Sequence, residues 1–177
     1  MGIEVGISTG YGDLSGFQDV DVHCPGMPVV ISQTSEYALR SVVVLGRHVA
    51  GPLTTQQISA ETQIPAGYLS KVLQGLSRAG LVNAQRGLHG GYSLARRLDE
   101  LTVLDVINAV DPIRRIVECP LGLAAHRGGL CSLHRRLDEA TALVESHFRG
   151  TTIADLLNEP GGPVDALCEA PQPVPGD

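Results

Sequence analysis

The chain has 177 residues, a formal net charge of −6, and 43% hydrophobic but only 3% aromatic residues. This length allows one ordinary domain with a short appended element and excludes a large two-domain enzyme. No apolar run approaches the roughly 20 residues of a membrane span, and the N-terminus lacks the basic start and apolar stretch of a secretion signal. Because aromatic residues are scarce, the core is left to aliphatic side chains, which favours packed helices.

Charge is distributed unevenly along the chain. Residues 34–98 contain seven basic and two acidic residues, a net charge of +5, so the rest of the chain carries −11. A basic module within an acidic chain is typical of a protein that binds a polyanion, with an ordinary solvated surface as the alternative. The four cysteines, at positions 24, 119, 131 and 168, are too few and too scattered for a disulfide scaffold. We therefore expect free thiols or metal ligands and a cytoplasmic protein.

The N-terminal part predicts a tail followed by three helices. Residues 1–28 show neither a helical nor an alternating period, which indicates disorder. Thr34 or Ser35 caps the first helix, and Thr54 or Thr55 caps the second. Pro65 opens the third, whose apolar positions recur at helical spacing until Gly80 ends it as a left-handed cap.

Residues 81–95 predict a β-hairpin. Two short extended runs, 81–85 and 92–95, flank a glycine-rich turn at 86–91. Two helices joined by a short turn and followed by a hairpin make a winged helix-turn-helix. The predicted fold class is therefore mainly α with a small β-hairpin wing. The alternative is a small α+β domain whose hairpin only connects other elements.

The third helix and the wing carry side chains that suit double-stranded DNA. Small residues at the start of the helix, Ala66 and Gly67, allow close approach to the floor of the major groove. An arginine in a glycine-rich loop suits a narrow minor groove, and hydroxyl, amide and ammonium groups reach phosphates or base edges. The predicted DNA contacts are Tyr68, Ser70, Lys71, Gln74, Arg86 and His89, with core packing as the alternative role for Tyr68.

Four runs of this sequence carry a family resemblance: TSEYALR at 34–40, IPAGYLS at 64–70, AGLV at 79–82 and RGLHGGYSLA at 86–95. Together they resemble the Rrf2 family of bacterial transcriptional regulators. The resemblance extends from residue 31 to about residue 158. It implies a homodimer on a pseudo-palindromic operator, with the helix after Pro65 in the major groove and Arg86 in the minor groove.

The C-terminal part predicts a short helix and a long one. Thr102 caps the short helix, which Asp111–Pro112 ends. Along the long helix, Leu133, Leu137, Ala140, Val144 and His147/Phe148 recur at steps of three or four. This stripe is either intramolecular core or a dimer seam, and the resemblance favours the seam of a two-fold homodimer.

The predicted organisation has five parts. They are a disordered N-terminal extension (1–28), a winged helix-turn-helix DNA-binding domain (29–98), a helix with a Cys/His effector loop (99–132), a dimerisation helix with a short final helix (133–158) and a disordered tail (159–177).

The effector loop collects metal-ligand chemistry. Cys119, His126, Cys131 and His134 lie close together in a glycine-containing stretch, and thiolate and imidazole bind zinc or iron–sulfur clusters. In the cluster-binding branch of the Rrf2 family this loop holds three cysteines. Cys119 and Cys131 match the first and the third, and His134 matches a histidine three residues on. The middle position falls at about Ala125, which cannot act as a ligand.

Three interpretations of this loop stay open. A [2Fe–2S] cluster would use Cys119, Cys131 and either His134 or His126. By the resemblance, Glu36 would complete that set from the partner subunit. Zinc or another single ion would use the two cysteines and the two histidines. Without a metal, the thiol pair would oxidise or the loop would form an effector pocket.

The function predicted from the sequence is that of a dimeric, DNA-binding transcriptional regulator, switched by an iron–sulfur cluster or by thiol redox state. The alternatives are a winged-helix protein-interaction module and a metal-free regulator without cluster sensing. An enzyme is not predicted, because no nucleophile-elbow motif surrounds Ser132 and no Gly-Lys-Ser or Gly-Lys-Thr follows the glycine-rich turn.

Overall fold

The computed structural model describes residues 30–48, 50–87, 90–121 and 129–159. The elements in chain order are α1 (Gln33–Arg47), α2 (Thr55–Thr62), α3 (Ala66–Arg78), β1 (Val82–Gln85), β2 (Gly91–Leu94), α4 (Val103–Val110), α5 (Ser132–Gly150) and α6 (Ile153–Asn158). This mainly helical chain with one antiparallel hairpin confirms the predicted fold class. The predicted N-terminal tail, 1–28, lies outside the described residues, and so does the predicted C-terminal tail, 159–177, except for its first residue.

Side-chain caps set the starts of several helices. As the sequence predicts, Thr54 and Thr102 cap their helices, each accepting a hydrogen bond from a backbone N–H of the first turn, and the structure shows that both also form capping boxes. The predicted cap of α1 at Thr34 or Ser35 is wrong, because Ser32 is the cap: its hydroxyl accepts a hydrogen bond from the backbone N–H of Ser35 at 3.2 Å. The Thr34 hydroxyl instead pairs with the Tyr68 hydroxyl at 2.6 Å.

The core lies between α1, α3 and α4. Val42 and Val44 of α1 are fully buried, and so are Leu69 and Leu73 of α3 and Val106 of α4. Full burial of one such side chain contributes about 1.5–3 kcal/mol relative to its exposure. The apolar side of α3 is therefore held firmly inward, and its other side is presented to solvent.

The hairpin is anchored to the helical domain by one residue of the α1–α2 connection. Leu53 and Tyr92 exchange two backbone hydrogen bonds of 2.9 and 2.7 Å, next to the regular pairing of β1 with β2. A Cβ at Gly91 would lie 2.5 Å from the carbonyl oxygen of Leu53, so this close approach requires glycine. Gly80 has φ +71°, which confirms the predicted left-handed cap after α3.

Helix α5 has no buried residue in the single chain. Large apolar side chains stand exposed on it: Leu133 at 62%, Leu137 at 48% and Leu143 at 74%. Near its end Phe148 packs against the core, and α6 follows with Ile153 buried and hydrogen-bonded to Leu101 at 2.8 Å. Apart from Phe148, the predicted stripe is thus not intramolecular core. No helix among the described residues is long and apolar enough to cross a bilayer.

Candidate DNA-binding surface and cysteine–histidine cluster

The solvent-facing side of α3 forms a polar stripe. It contains Gly67, Lys71, Gln74 and Arg78, which are all exposed. Their spacing of four, three and four residues places them on one face of a helix. We call these four residues the α3 stripe. The sequence-based set of DNA contacts omitted Arg78, although its position seven residues after Lys71 was a usable signal.

Two of the predicted contacts on α3 are engaged within the chain. The ring of Tyr68 packs edge-on against Tyr37 at 5.5 Å between centroids, and its hydroxyl pairs with Thr34. The hydroxyl of Ser70 donates to the carbonyl of Ala66 at 2.8 Å. Both side chains lie beside the α3 stripe rather than within it.

The wing presents one basic side chain in its described part. Arg86 follows β1 directly and is exposed. Gly87, with φ +113°, then turns the chain in a conformation that side chains rarely adopt. His89 lies outside the described residues.

Cys119, Cys131 and His134 come together at the start of α5. The Nδ1 atom of His134 lies 3.1 Å from the Sγ atom of Cys131 and 3.5 Å from that of Cys119. All three donor atoms lie within 4.8 Å of one another. We call these residues the Cys/His triad. They are separated by up to 15 positions in the sequence, and the segment after α4 carries Cys119 back across α5.

Hydrogen bonds favour the thiolate of Cys131. The backbone of His134 contributes most, and the imidazole of His134 and the thiol of Cys119 add to it, so the pKa of Cys131 falls to about 7. A cysteine with such a pKa is substantially ionised near neutral pH, which is the form that binds metals and reacts with oxidants.

An ion pair ties the segment before Cys119 to α5. The guanidinium of Arg115 donates to both carboxylate oxygens of Asp138, at 2.7 and 2.6 Å, and the backbone N–H of Ile116 donates to Asp138 at 2.9 Å. The Arg115 hydrogen bonds hold the pKa of Asp138 below its ordinary value. We call Arg115, Ile116 and Asp138 the Asp138 clamp.

The other predicted ligands are not part of the triad. The carboxylate of Glu36 accepts a hydrogen bond from Arg40 within α1, and His126 lies outside the described residues. Two thiols and an imidazole suit zinc, iron or an iron–sulfur cluster. The described part of one chain supplies three clustered donors, one fewer than the four protein ligands of a [2Fe–2S] cluster.

Comparisons with known proteins agree with this architecture. The Rrf2 family model, described as "Iron-dependent Transcriptional regulator", matches residues 31–159. The HTH-type transcriptional regulator IscR of Aliivibrio salmonicida is 28% identical over 128 residues, which cover 72% of this chain and 76% of that protein.

Solved structures are similar as well. CymR, the global cysteine regulator of B. subtilis, is 27% identical with a TM-score of 0.59, over 73% of this chain and 96% of that one. IscR of T. potens, at 23% identity, shares the fold with a TM-score of 0.61, over 76% of this chain and 88% of that one. These proteins are transcriptional regulators, in agreement with the prediction that the chain is not an enzyme. Since the family match covers nearly all of the described residues, the chain belongs to the Rrf2 family of DNA-binding transcriptional regulators.

Proposed function

We propose that two copies of this chain bind a pseudo-palindromic operator in double-stranded DNA. In each copy α3 enters the major groove and Arg86 reaches an adjacent minor groove, while the Cys/His triad adjusts the affinity. The observation that carries this proposal is the exposed α3 stripe, which offers amide and cationic groups on a firmly anchored helix.

The α3 stripe is suited to its role by size and chemistry. Gly67 and Arg78 are eleven residues apart, a rise of about 16 Å along the helix, which matches a helix lying in the groove. The absence of a side chain at Gly67 permits close contact with bases. Gln74 can form a paired hydrogen bond with adenine, and Lys71 and Arg78 suit phosphates. Tyr68, Ser70 and His89 stay predictions.

The exposed leucines of α5 support the homodimer. Leu133, Leu137 and Leu143 expose about half or more of their surface in one chain. Leu133 and Leu137 belong to the apolar stripe of α5, and exposed apolar surface of this kind is typical of an interface. Pairing α5 with its copy about a two-fold axis would set the two α3 helices about one DNA turn, roughly 34–36 Å, apart.

The Cys/His triad is suited to act as the switch because it joins the segment after α4 to the first turn of α5. Ligation by a cluster or metal, or oxidation of the two thiols, would change how firmly α5 is held and hence the spacing of the α3 helices. A [2Fe–2S] cluster requires a fourth ligand, for which Glu36 of the partner subunit stays the prediction.

The test is the salt dependence of DNA binding. Duplexes selected by the protein from genomic fragments would be titrated at several salt concentrations, and affinity should fall steeply as salt rises because counterions are released. Lys71→Ala and Arg86→Ala should each weaken binding and lower the slope by about 1.8 per dimer. Arg135→Ala, on an exposed part of α5, is the control and should bind as the wild type does.

The opposite result would favour a protein-interaction module. DNA binding that is weak and insensitive to salt would contradict the docking of α3 and the wing on DNA. So would a wild-type salt dependence of the affinity in both Lys71→Ala and Arg86→Ala.

A further inference from the structure

We propose that the Cys/His triad holds a single tetrahedral divalent ion of the zinc class, rather than a [2Fe–2S] cluster, and that Asp138 positions Cys119 for it. This inference rests on the proposed function in one respect: it names the ligand of the site that we propose as the switch.

The three donors already surround one point. In a tetrahedral zinc site, bonds of about 2.3 Å to sulfur and about 2.0 Å to nitrogen place neighbouring donors roughly 3.5–3.8 Å apart. The two sulfur–nitrogen distances here are 3.1 and 3.5 Å, and no pair of donors exceeds 4.8 Å. A small outward movement of the side chains is therefore enough to admit one ion, with a fourth position left for water or another ligand.

A two-iron cluster requires a different arrangement of protein ligands. Each of its irons takes two protein ligands, so the ligands form two pairs separated by the width of the cluster. Three donors gathered about one point serve a single metal atom. Within the described ranges no other cysteine, histidine or carboxylate joins them, and the position of the middle family cysteine falls near Ala125, which has no donor.

The Asp138 clamp makes this arrangement part of the fold. Asp138 follows His134 by one helical turn, so both side chains lie on the side of α5 that faces residues 115–119. The carboxylate binds the guanidinium of Arg115 through two hydrogen bonds and the backbone N–H of Ile116 through a third. Ile116 lies only three residues before Cys119, so Asp138 fixes the course of the chain that delivers this thiol.

Asp138 is therefore a positioning residue rather than a ligand. Groups that hold metal ligands in place typically change metal affinity by 10- to 100-fold when they are replaced. Glu139, the next residue, offers a matched comparison. It pairs with Arg136 at 2.9 Å on the exposed surface of α5, and neither side chain forms a hydrogen bond or ion pair with the described residues 111–121.

The experiment is an anaerobic titration of the reduced, metal-free full-length protein with Co²⁺, followed by displacement with Zn²⁺. We expect one Co²⁺ per chain, with the intense visible and thiolate charge-transfer bands of a tetrahedral sulfur-ligated ion, and loss of these bands on addition of Zn²⁺. Cys119→Ser, Cys131→Ser and His134→Ala should each abolish or strongly reduce the bands. Asp138→Asn should weaken Co²⁺ binding about 10-fold or more, whereas Glu139→Gln should bind as the wild type does.

Other results would overturn the inference. Anaerobic incubation with iron and sulfide that yields two irons and two sulfides per chain, retained through desalting, would establish a cluster instead. An octahedral cobalt spectrum or no stoichiometric binding would refute the single-ion site, and wild-type affinity in Asp138→Asn would refute the positioning role. Circular dichroism of each metal-free variant shows whether it is folded, and Arg115→Ala gives a second disruption of the clamp.

The titration is independent of DNA, so the two proposals fail separately. Tetrahedral binding of one ion together with identical operator affinity of the metal-free and loaded protein supports the metal site and refutes its role as the switch.

Discussion

If the chain dimerises through α5 as proposed, replacing Leu137 with glutamate should convert the proposed dimer to a monomer without unfolding the chain. Leu137 lies in the middle of the exposed apolar stripe of α5 and is 48% exposed in the single chain. Because α5 has no buried residue in the single chain, the glutamate charge would not enter the intramolecular core. The charge would instead destabilise the proposed contact between two copies.

The size of the effect follows from the area left to bury. Full burial of a leucine contributes about 1.5–3 kcal/mol, so the exposed half of Leu137 is worth about 0.7–1.5 kcal/mol per copy, or about 1.5–3 kcal/mol in a two-fold dimer. Placing two carboxylates in the seam adds a desolvation cost of at least about 1 kcal/mol each. Since about 1.4 kcal/mol corresponds to a factor of ten, the dissociation constant of the dimer should rise at least about 100-fold.

Sedimentation velocity over a range of protein concentrations measures this constant, and thermal unfolding at low concentration reports on the fold. Arg135→Glu introduces a negative charge elsewhere on α5 and serves as the control, with wild-type dimerisation expected. A Leu137→Glu protein that remains a dimer with the wild-type constant would refute the assignment of the seam. So would equal disruption by the control.

Three further predictions concern α3, the wing and the clamp. Gly67→Ala should stabilise the fold by up to about 1 kcal/mol in urea unfolding, because a Cβ there meets no atom within 4 Å. The same substitution should weaken operator binding. Unchanged operator affinity would argue against close contact of Gly67 with the groove. Gly91→Ala should cost about 1–3 kcal/mol, because its Cβ would lie 2.5 Å from the carbonyl oxygen of Leu53; wild-type unfolding in urea would contradict the anchoring of the wing. The pKa of Asp138 is lowered in the folded chain, chiefly by the hydrogen bonds from Arg115. The contribution of the ionised carboxylate to folding stability is therefore present above the usual carboxyl pKa of 3.8, and it is lost as the pH falls through the lowered pKa of the folded chain. Arg115→Ala should raise that pKa in a carboxyl ¹³C NMR titration and reduce this acid dependence, and an unmoved pKa would refute the pairing.

Much of the local architecture follows from the sequence by itself. The capping boxes at Thr54 and Thr102, the left-handed Gly80 and the hairpin around the glycine-rich turn depend on residues within a few positions of one another. Short-range hydrogen bonds and backbone sterics decide such features, so residue type and spacing are enough to predict them. The family runs in the first 95 residues are of the same local kind.

The tertiary structure decided which side chains meet over long distances. Spacing alone allowed Tyr68 to face either DNA or the core, and only the tertiary structure shows that its ring packs on Tyr37 and its hydroxyl pairs with Thr34 of α1. The convergence of Cys119 with His134 depends on the segment after α4 lying alongside α5, and the Asp138 clamp that holds it there joins residues 22 and 23 positions apart. Apolar periodicity shows which face of a helix or strand is apolar. It does not show which residues the polar face contacts, because those contacts depend on how the helices and segments pack.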